Sequence, residues 1–151
     1  MSTVEQFINS LSPHRGALND LIEMIDEKNY AFKPTPTSME TEKLVNHTLK
    51  TTYTFARLAA KQSPEDLFPE GDDTPLAERA RVYTDETYAS IKLLEDEDLD
   101  ELIDVKKMFG SEIPAGKLLE MAKDHEIHHK GQLFVYVREM GHTDLPSFVK
   151  K

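Results

Sequence analysis

The segment that most limits the fold of this chain begins at about Pro114 or Ala115 and ends at Met140. Its apolar side chains and two of its histidines recur every three or four residues: Leu118, Ala122, His125, His129, Leu133, Tyr136 and Met140. This interval is the period of one face of an α-helix. Gly141 follows the segment directly and suits the end of a helix. The pattern therefore predicts one long helix with an inward-facing stripe.

Three earlier segments have the same apolar period and predict three more helices. The first runs from Val4 to about Lys28, and its apolar phase continues through Pro13, so we expect one kinked helix. The second covers about residues 37–62. The third begins near Pro75, a residue that suits a first helical turn. Together the segments predict an all-α fold, a four-helix bundle.

The connecting segments carry turn-forming and acidic residues. Residues 63–74 form an acidic linker that could reach roughly 40 Å when extended, similar to the length of a long helix. A crossover between helices two and three is therefore geometrically possible. Residues 95–104 are mostly acidic and predict a solvated helix end and loop, while residues 105–114 suggest a short hairpin or an irregular turn.

Composition excludes several classes of protein. The 151 residues suit a single domain, residues 1–151, and contain no cysteine, so a bound transition metal must use imidazole or carboxylate ligands. The formal charge of −10, from 28 acids against 18 dispersed bases, argues against a nucleic-acid partner. The sequence has no signal-like start and no apolar run of about 20 residues, so we expect a soluble cytoplasmic protein without membrane contact.

The histidines are the best candidates for a functional site. His125 and His129 lie four residues apart, so their rings share one helix face and can converge on one metal ion. His128 projects to one side of that stripe. His47 shares a stripe with Leu44 in helix two and is expected to face inward. Three imidazoles would leave a coordination position open, as in a catalytic zinc site. The alternative is three unrelated histidines, some of them hydrogen-bonded in the core.

Other chemistries find less support in the residues. The chain has no serine-hydrolase elbow, phosphate-binding loop or dinucleotide-binding turn. Residues 125–129 match the His-Glu-x-x-His pattern of zinc proteases literally, but an all-helical fold offers no sheet edge for a peptide substrate. The same helical projection also turns Glu126 away from the two ligands. His14 is expected to be a surface or partly buried histidine rather than a fourth ligand.

These residues resemble the DinB-like family of bacterial proteins. The resemblance lies in a histidine of helix two, His47 in Leu44-Val45-Asn46-His47, followed by a His-x-x-His-His-Lys-Gly-Gln motif at residues 125–132. The closing Arg138-Glu139-Met140-Gly141 also matches, and the resemblance covers nearly the whole chain.

The resemblance implies a four-helix bundle in up-down-down-up order, with the linker between helices two and three crossing over. It implies that His47, His125 and His129 bind a divalent metal, with zinc or nickel typical, and that two copies form a homodimer. Some members of this family are transferases or isomerases that act with bacillithiol, mycothiol or glutathione.

Three hypotheses about function follow. The first is a metal-dependent transferase that joins a low-molecular-weight thiol such as bacillithiol to an electrophile, with Gln132, His128 and Glu126 as candidates to orient a ligand imidazole. The second is a stress protein that binds metal without catalysis. The third is a metal-dependent hydrolase in which Glu126 acts as the base.

Overall fold

The computed structural model describes residues 2–151 and is mostly helical. The long helices are α1 (Thr3–Glu23), α2 (Thr41–Ala59), α3 (Leu76–Ile91) and α5 (Ala115–Glu139). The smaller elements are 3-10 turns at Glu27–Asn29 and Asp96–Asp100, strands β1 (Leu102–Asp104) and β2 (Glu112–Pro114), and the one-turn helix α4 (Lys106–Phe109). The expected all-α class is confirmed, because the two three-residue strands are the only sheet within the described range.

Helix α1 is continuous through Pro13, as the apolar pattern predicts. The hydroxyl of Ser2 accepts a hydrogen bond from the Glu5 amide (3.1 Å), and the Glu5 carboxylate accepts one from the Ser2 amide (3.2 Å). This reciprocal pair satisfies amides that the first turn would otherwise leave free. The helix ends at Glu23, earlier than the expected Lys28, and a 3-10 turn follows.

Helix α2 packs against α5 and α3, and α1 packs against α3 and α5. The buried apolar residues form two clusters at different levels along the long helices. Leu11 and Phe55 belong to one, while Leu18 and Tyr53 belong to the other. Arg15 of α1 lies between Leu11 and Leu18 along the chain, so a buried cation occupies the level between the clusters.

The segment between α2 and α3 has no regular structure, as its proline and glycine content predicts. Arg79 fixes its end, because its guanidinium donates to the carbonyls of Thr74 (2.8 Å) and Asp72 (2.5 Å). Near its start, the Tyr53 hydroxyl accepts a hydrogen bond from the Glu65 amide (3.1 Å). The linker is therefore held along the helices at both ends.

The acidic region, residues 95–104, is mostly exposed, as expected, but it has more regular structure than a loop. Its first part is a 3-10 turn, and its last part is strand β1, which pairs antiparallel with β2 so that buried Ile103 lies opposite buried Ile113. The Asp96 carboxylate accepts hydrogen bonds from the amides of Thr3 and Val4, each 3.0 Å long. An acid there satisfies the free amides at the start of α1 and interacts well with the helix dipole. No helix within residues 2–151 combines the length and apolar character that a membrane crossing requires.

Candidate metal centre

Three histidines from two helices come together where α2 packs against α5. The Nε2 atom of His125 lies 3.0 Å from that of His47 and 3.1 Å from that of His129. One ligand nitrogen from each ring lies within 4.8 Å of the others. Nitrogens bound to a tetrahedral zinc ion at its usual bond length stand roughly 3.3 Å apart. The cluster can therefore hold a metal ion with small ring movements.

The three rings differ in their exposure to solvent. His129 is buried, His125 is half-buried and His47 is exposed. The expectation that His47 faces inward was wrong. The buried face of α2 is centred on residues such as Val45 and Leu49, because α3 and α5 together cover a broad face of that helix. His47 lies on the rim of this face, which leaves the cluster open to solvent on one side.

A side-chain amide fixes the orientation of one ring. The Nδ1 atom of His129 lies 2.7 Å from the Oε1 atom of Gln132, one turn further along α5. An amide oxygen can only accept, so Nδ1 carries the proton and Nε2 presents its lone pair to the cluster. The exposed His128 ring lies 4.9 Å from that of His129 and is not part of the cluster.

The electrostatics of the cluster favour neutral imidazoles. Burial, together with repulsion from His129 and His47, lowers the pKa of His125 to about 4. Burial also lowers the pKa of His47, with a further contribution from His129. A metal ion binds only the unprotonated nitrogen of a histidine. At neutral pH these two rings therefore have lone pairs available for coordination.

Glu126, next to His125 in sequence, is fully buried. Its carboxylate accepts hydrogen bonds from Nε (3.1 Å) and Nη2 (2.5 Å) of Arg15, and from the Thr52 hydroxyl (3.0 Å). Three donors thus occupy the oxygens that a hydrolytic base would need for a water molecule. Sequence reasoning missed Arg15. The available signal was its position on the apolar stripe of α1, between Leu11 and Leu18.

A second polar cluster lies on the α1 side of α5. The Nζ atom of Lys130 donates to His14 Nδ1 (2.7 Å) and to the carbonyl of Phe148. His14 is partly buried and lies outside the three-histidine cluster, as expected. Burial lowers the pKa of His14 and also that of Lys130. This cluster connects the C-terminal segment to the body of the protein.

The fold and the site together define a class of protein: it is predominantly helical and carries a solvent-accessible cluster of three histidines. The chain matches the model of the DinB family over residues 1–148. It is 40% identical over 153 residues to an uncharacterized protein of Bacillus subtilis (strain 168), YjoA, covering 100% of this chain and 99% of that protein. The chain belongs to the DinB family, as the histidine motif indicates.

Solved structures agree with this assignment. A crystal structure of the DinB-like protein YjoA from Bacillus subtilis superposes with a TM-score of 0.86 at 40% identity, covering 97% of this chain and 99% of that one. A DinB-like protein from Bacillus cereus ATCC 10987 gives a TM-score of 0.76 at 18% identity, covering 95% of each chain. The second match concerns the fold alone.

Proposed function

We propose that this protein binds a divalent transition metal, zinc or nickel, through the Nε2 atoms of His47, His125 and His129. We propose further that it uses the metal to transfer a low-molecular-weight thiol such as bacillithiol onto an electrophile. The observation that carries the proposal is the convergence of the three nitrogens, with His125 Nε2 at 3.0 and 3.1 Å from the other two.

The ligand set suits a reactive site better than a closed structural one. Three neutral nitrogens leave at least one coordination position free for a small molecule. A metal bound there would supply Lewis acidity, which lowers the pKa of a thiol that reaches it. The exposed ring of His47 leaves a route from solvent to that position. The thiol releases its proton to solvent, its sulfur bonds to the electrophilic carbon, and the leaving group takes the displaced electron pair.

The contacts also support the proposed up-down-down-up order of the long helices within one domain. Ser10 pairs with Lys123 (3.2 Å), and His14 pairs with Lys130 (2.7 Å), so positions ascend together along α1 and α5. Asp96, five residues after the end of α3, contacts the start of α1. The end of α3 therefore lies near the start of α1. These contacts support an arrangement in which α1 is parallel to α5 and antiparallel to α3.

Helix α2 runs opposite to α5 on the same reasoning. Thr52 contacts Glu126, and the carbonyl of Met39, just before α2, contacts Tyr136 further along α5. Helices α2 and α3 are then parallel, which requires the linker between them to cross the length of the molecule.

The proposal includes a homodimer, on the strength of the family resemblance, and a location in the cytoplasm. Large apolar side chains exposed near the β1–β2 hairpin offer a surface for a second copy: Leu93, Leu102, Met108 and Phe109. Light scattering on the purified protein tests the dimer, and a monomeric mass at micromolar concentration would contradict it.

Metal binding is tested first. Protein depleted of metal with a chelator is titrated with zinc or nickel by calorimetry, and one ion should bind per chain. His125→Ala and His129→Ala should lose that binding. His128→Ala is the matched control, because this exposed neighbour lies outside the cluster and should bind like the wild type. Equal binding by all the variants would overturn the proposed ligand set.

The transfer reaction is tested on the metal-loaded protein with bacillithiol and a panel of electrophiles. Conjugate formation should require the metal and disappear in His129→Ala. Conjugation that persists undiminished in His129→Ala contradicts the proposed role of the site. Tight metal binding without conjugation of any tested electrophile would instead favour the alternative, a stress protein that binds metal without catalysis.

A further inference from the structure

We propose that the cavity beside His129 binds the electrophile, and that this substrate is an uncharged and largely apolar small molecule. The inference rests on the proposed function and adds the class of the second substrate. The cavity has a volume of about 490 Å³ and lies between α5 and the segment that precedes α2. A volume of roughly 300–1,000 Å³ is typical of small-molecule sites.

The composition of the cavity wall determines what it can bind. No Asp, Glu, Lys or Arg lines the cavity, although these residues make up 30% of the chain. Its apolar wall includes Met39, Leu44 and Val135. Met39 is 40% exposed and Val135 is 51% exposed, so a ligand would remove apolar surface from water. Binding to this wall is favourable for apolar groups and unfavourable for a charged group left without a partner.

Hydrogen bonds hold the outer wall in position. Thr41 donates from both its amide (2.9 Å) and its hydroxyl (2.7 Å) to the carbonyl of Phe32. These bonds hold together the two ends of the segment that precedes α2, residues 32–41. The Tyr136 hydroxyl donates to the carbonyl of Met39 (2.8 Å) and ties the segment to α5. A wall fixed in this way costs a ligand little ordering entropy on binding.

Two side chains connect the cavity with the histidine cluster. His129 lines the cavity and presents its Nε2 atom to the cluster. Gln132 also lines the cavity, and its Oε1 atom accepts from His129. Its amide NH₂ has no hydrogen-bond partner among residues 2–151 and can donate to an oxygen of a ligand. A molecule in the cavity therefore lies beside the position that an activated thiol would occupy.

The same wall separates the two substrates by charge. Bacillithiol carries carboxylates, and an uncharged wall offers them no cation. The thiol therefore reaches the cluster from the exposed side near His47, and the cavity receives its reaction partner. With chlorodinitrobenzene as that partner, the sulfur bonds to the ring carbon that carries chlorine. The carbon–chlorine bond breaks, chloride leaves with its electron pair, and the thiol proton passes to solvent.

The experiment compares two probes on the metal-loaded full-length protein: neutral chlorodinitrobenzene and the anionic chlorodinitrobenzoate. Relative to their uncatalysed rates, the wild type should favour the neutral probe at least tenfold. Val135→Glu should raise the KM for the neutral probe at least tenfold and leave the metal content and the KM for the thiol unchanged. Val135→Lys should shift the preference toward the anionic probe, which a loss of folding would not do.

Ala77→Glu is the matched control, because Ala77 is exposed on α3 and lies outside both the cavity and the proposed dimer surface. It should keep the wild-type preference. If Val135→Glu has full metal content and wild-type kinetics with both probes, the cavity proposal is overturned while the thiol transfer stands.

If the metal-loaded wild type conjugates neither probe, the proposed transfer fails and the cavity is tested by binding alone. Unreactive dinitrobenzene is then titrated into the wild type and followed by NMR. Shifts at residues of the cavity wall that disappear in Val135→Glu and persist in Ala77→Glu support the cavity. Identical spectra in all three proteins overturn it.

Discussion

Arg15 and Glu126 form a buried ion pair whose bonds reach all four long helices. The pair joins α1 to α5 through Nε (3.1 Å) and Nη2 (2.5 Å) of the guanidinium. Thr52 of α2 donates to the carboxylate (3.0 Å), and Arg15 Nη1 donates to Thr84 of α3 (3.0 Å). Burial alone would lower the pKa of Arg15, but the charge and hydrogen bonds of Glu126 outweigh it and raise the pKa. Each charge thus depends on the other.

Replacing Glu126 with Gln should destabilise the protein strongly, because it leaves the Arg15 cation buried without a counter-charge. Breaking one half of a buried ion pair typically costs about 3–5 kcal/mol. The free energy of unfolding, measured by denaturant titration, should fall by about that much. Glu120→Gln is the control, since Glu120 is exposed and its pair with the partly buried Lys123 is worth less than about 1 kcal/mol. Similar losses in the two variants would contradict the structural role of the pair.

Helix periodicity could predict the helices and the histidine pair because both depend on local sequence. Helix α5 begins at Ala115 and ends at Glu139, within a residue of the predicted bounds. The pairing of His125 with His129 needs only the geometry of one turn. The stripe of helix two supplied His47 as the third histidine, and the motif then identified the family, whose resemblance implies the same three ligands.

What the sequence could not predict depends on which helices cover which faces. His47 was expected to face inward because it shares a stripe with Leu44, but the faces that α3 and α5 cover are centred elsewhere on α2. Glu126 was expected to be turned away from the ligands, and its partner Arg15 lies 111 residues away. The sequence of a single helix does not indicate such a distant partner. The ion pair could therefore be identified only from the three-dimensional structure.

Replacing Gln132 with Leu should weaken metal binding, because His129 loses the acceptor that holds its proton on Nδ1. Loss of such a partner typically reduces metal affinity about 10–100-fold. Gln132→Glu keeps an acceptor and should bind at least as tightly as the wild type. Glu139→Leu serves as the control, because Glu139 is an exposed residue at the C-terminal end of α5. Calorimetric titration measures the affinity, and an unchanged value for Gln132→Leu would contradict the orienting role.

The metal-free protein should lose stability as the pH falls from about 6.5 to about 4. Burial lowers the pKa of His125 from 6.5 to about 4 in the folded protein. Between these values the unfolded chain binds more protons than the folded protein, so acid favours unfolding. His125→Gln removes this contribution and should show a flatter dependence of the urea midpoint on pH. His128→Gln should keep the wild-type slope. Parallel curves for wild type and His125→Gln would refute the prediction.

Replacing Lys130 with Met should release the C-terminal segment, because the Nζ atom of Lys130 bonds both His14 (2.7 Å) and the carbonyl of Phe148. Met keeps the apolar stem but leaves both acceptors without a donor, a loss of about 1–2 kcal/mol. The amide of Lys150 still donates to the Pro13 carbonyl (2.8 Å), so the segment should fray while the helices stay folded. Carboxypeptidase should therefore trim this variant several times faster than Lys117→Met, which replaces an exposed lysine of the same helix. Equal trimming rates would mean that Lys130 does not hold the segment.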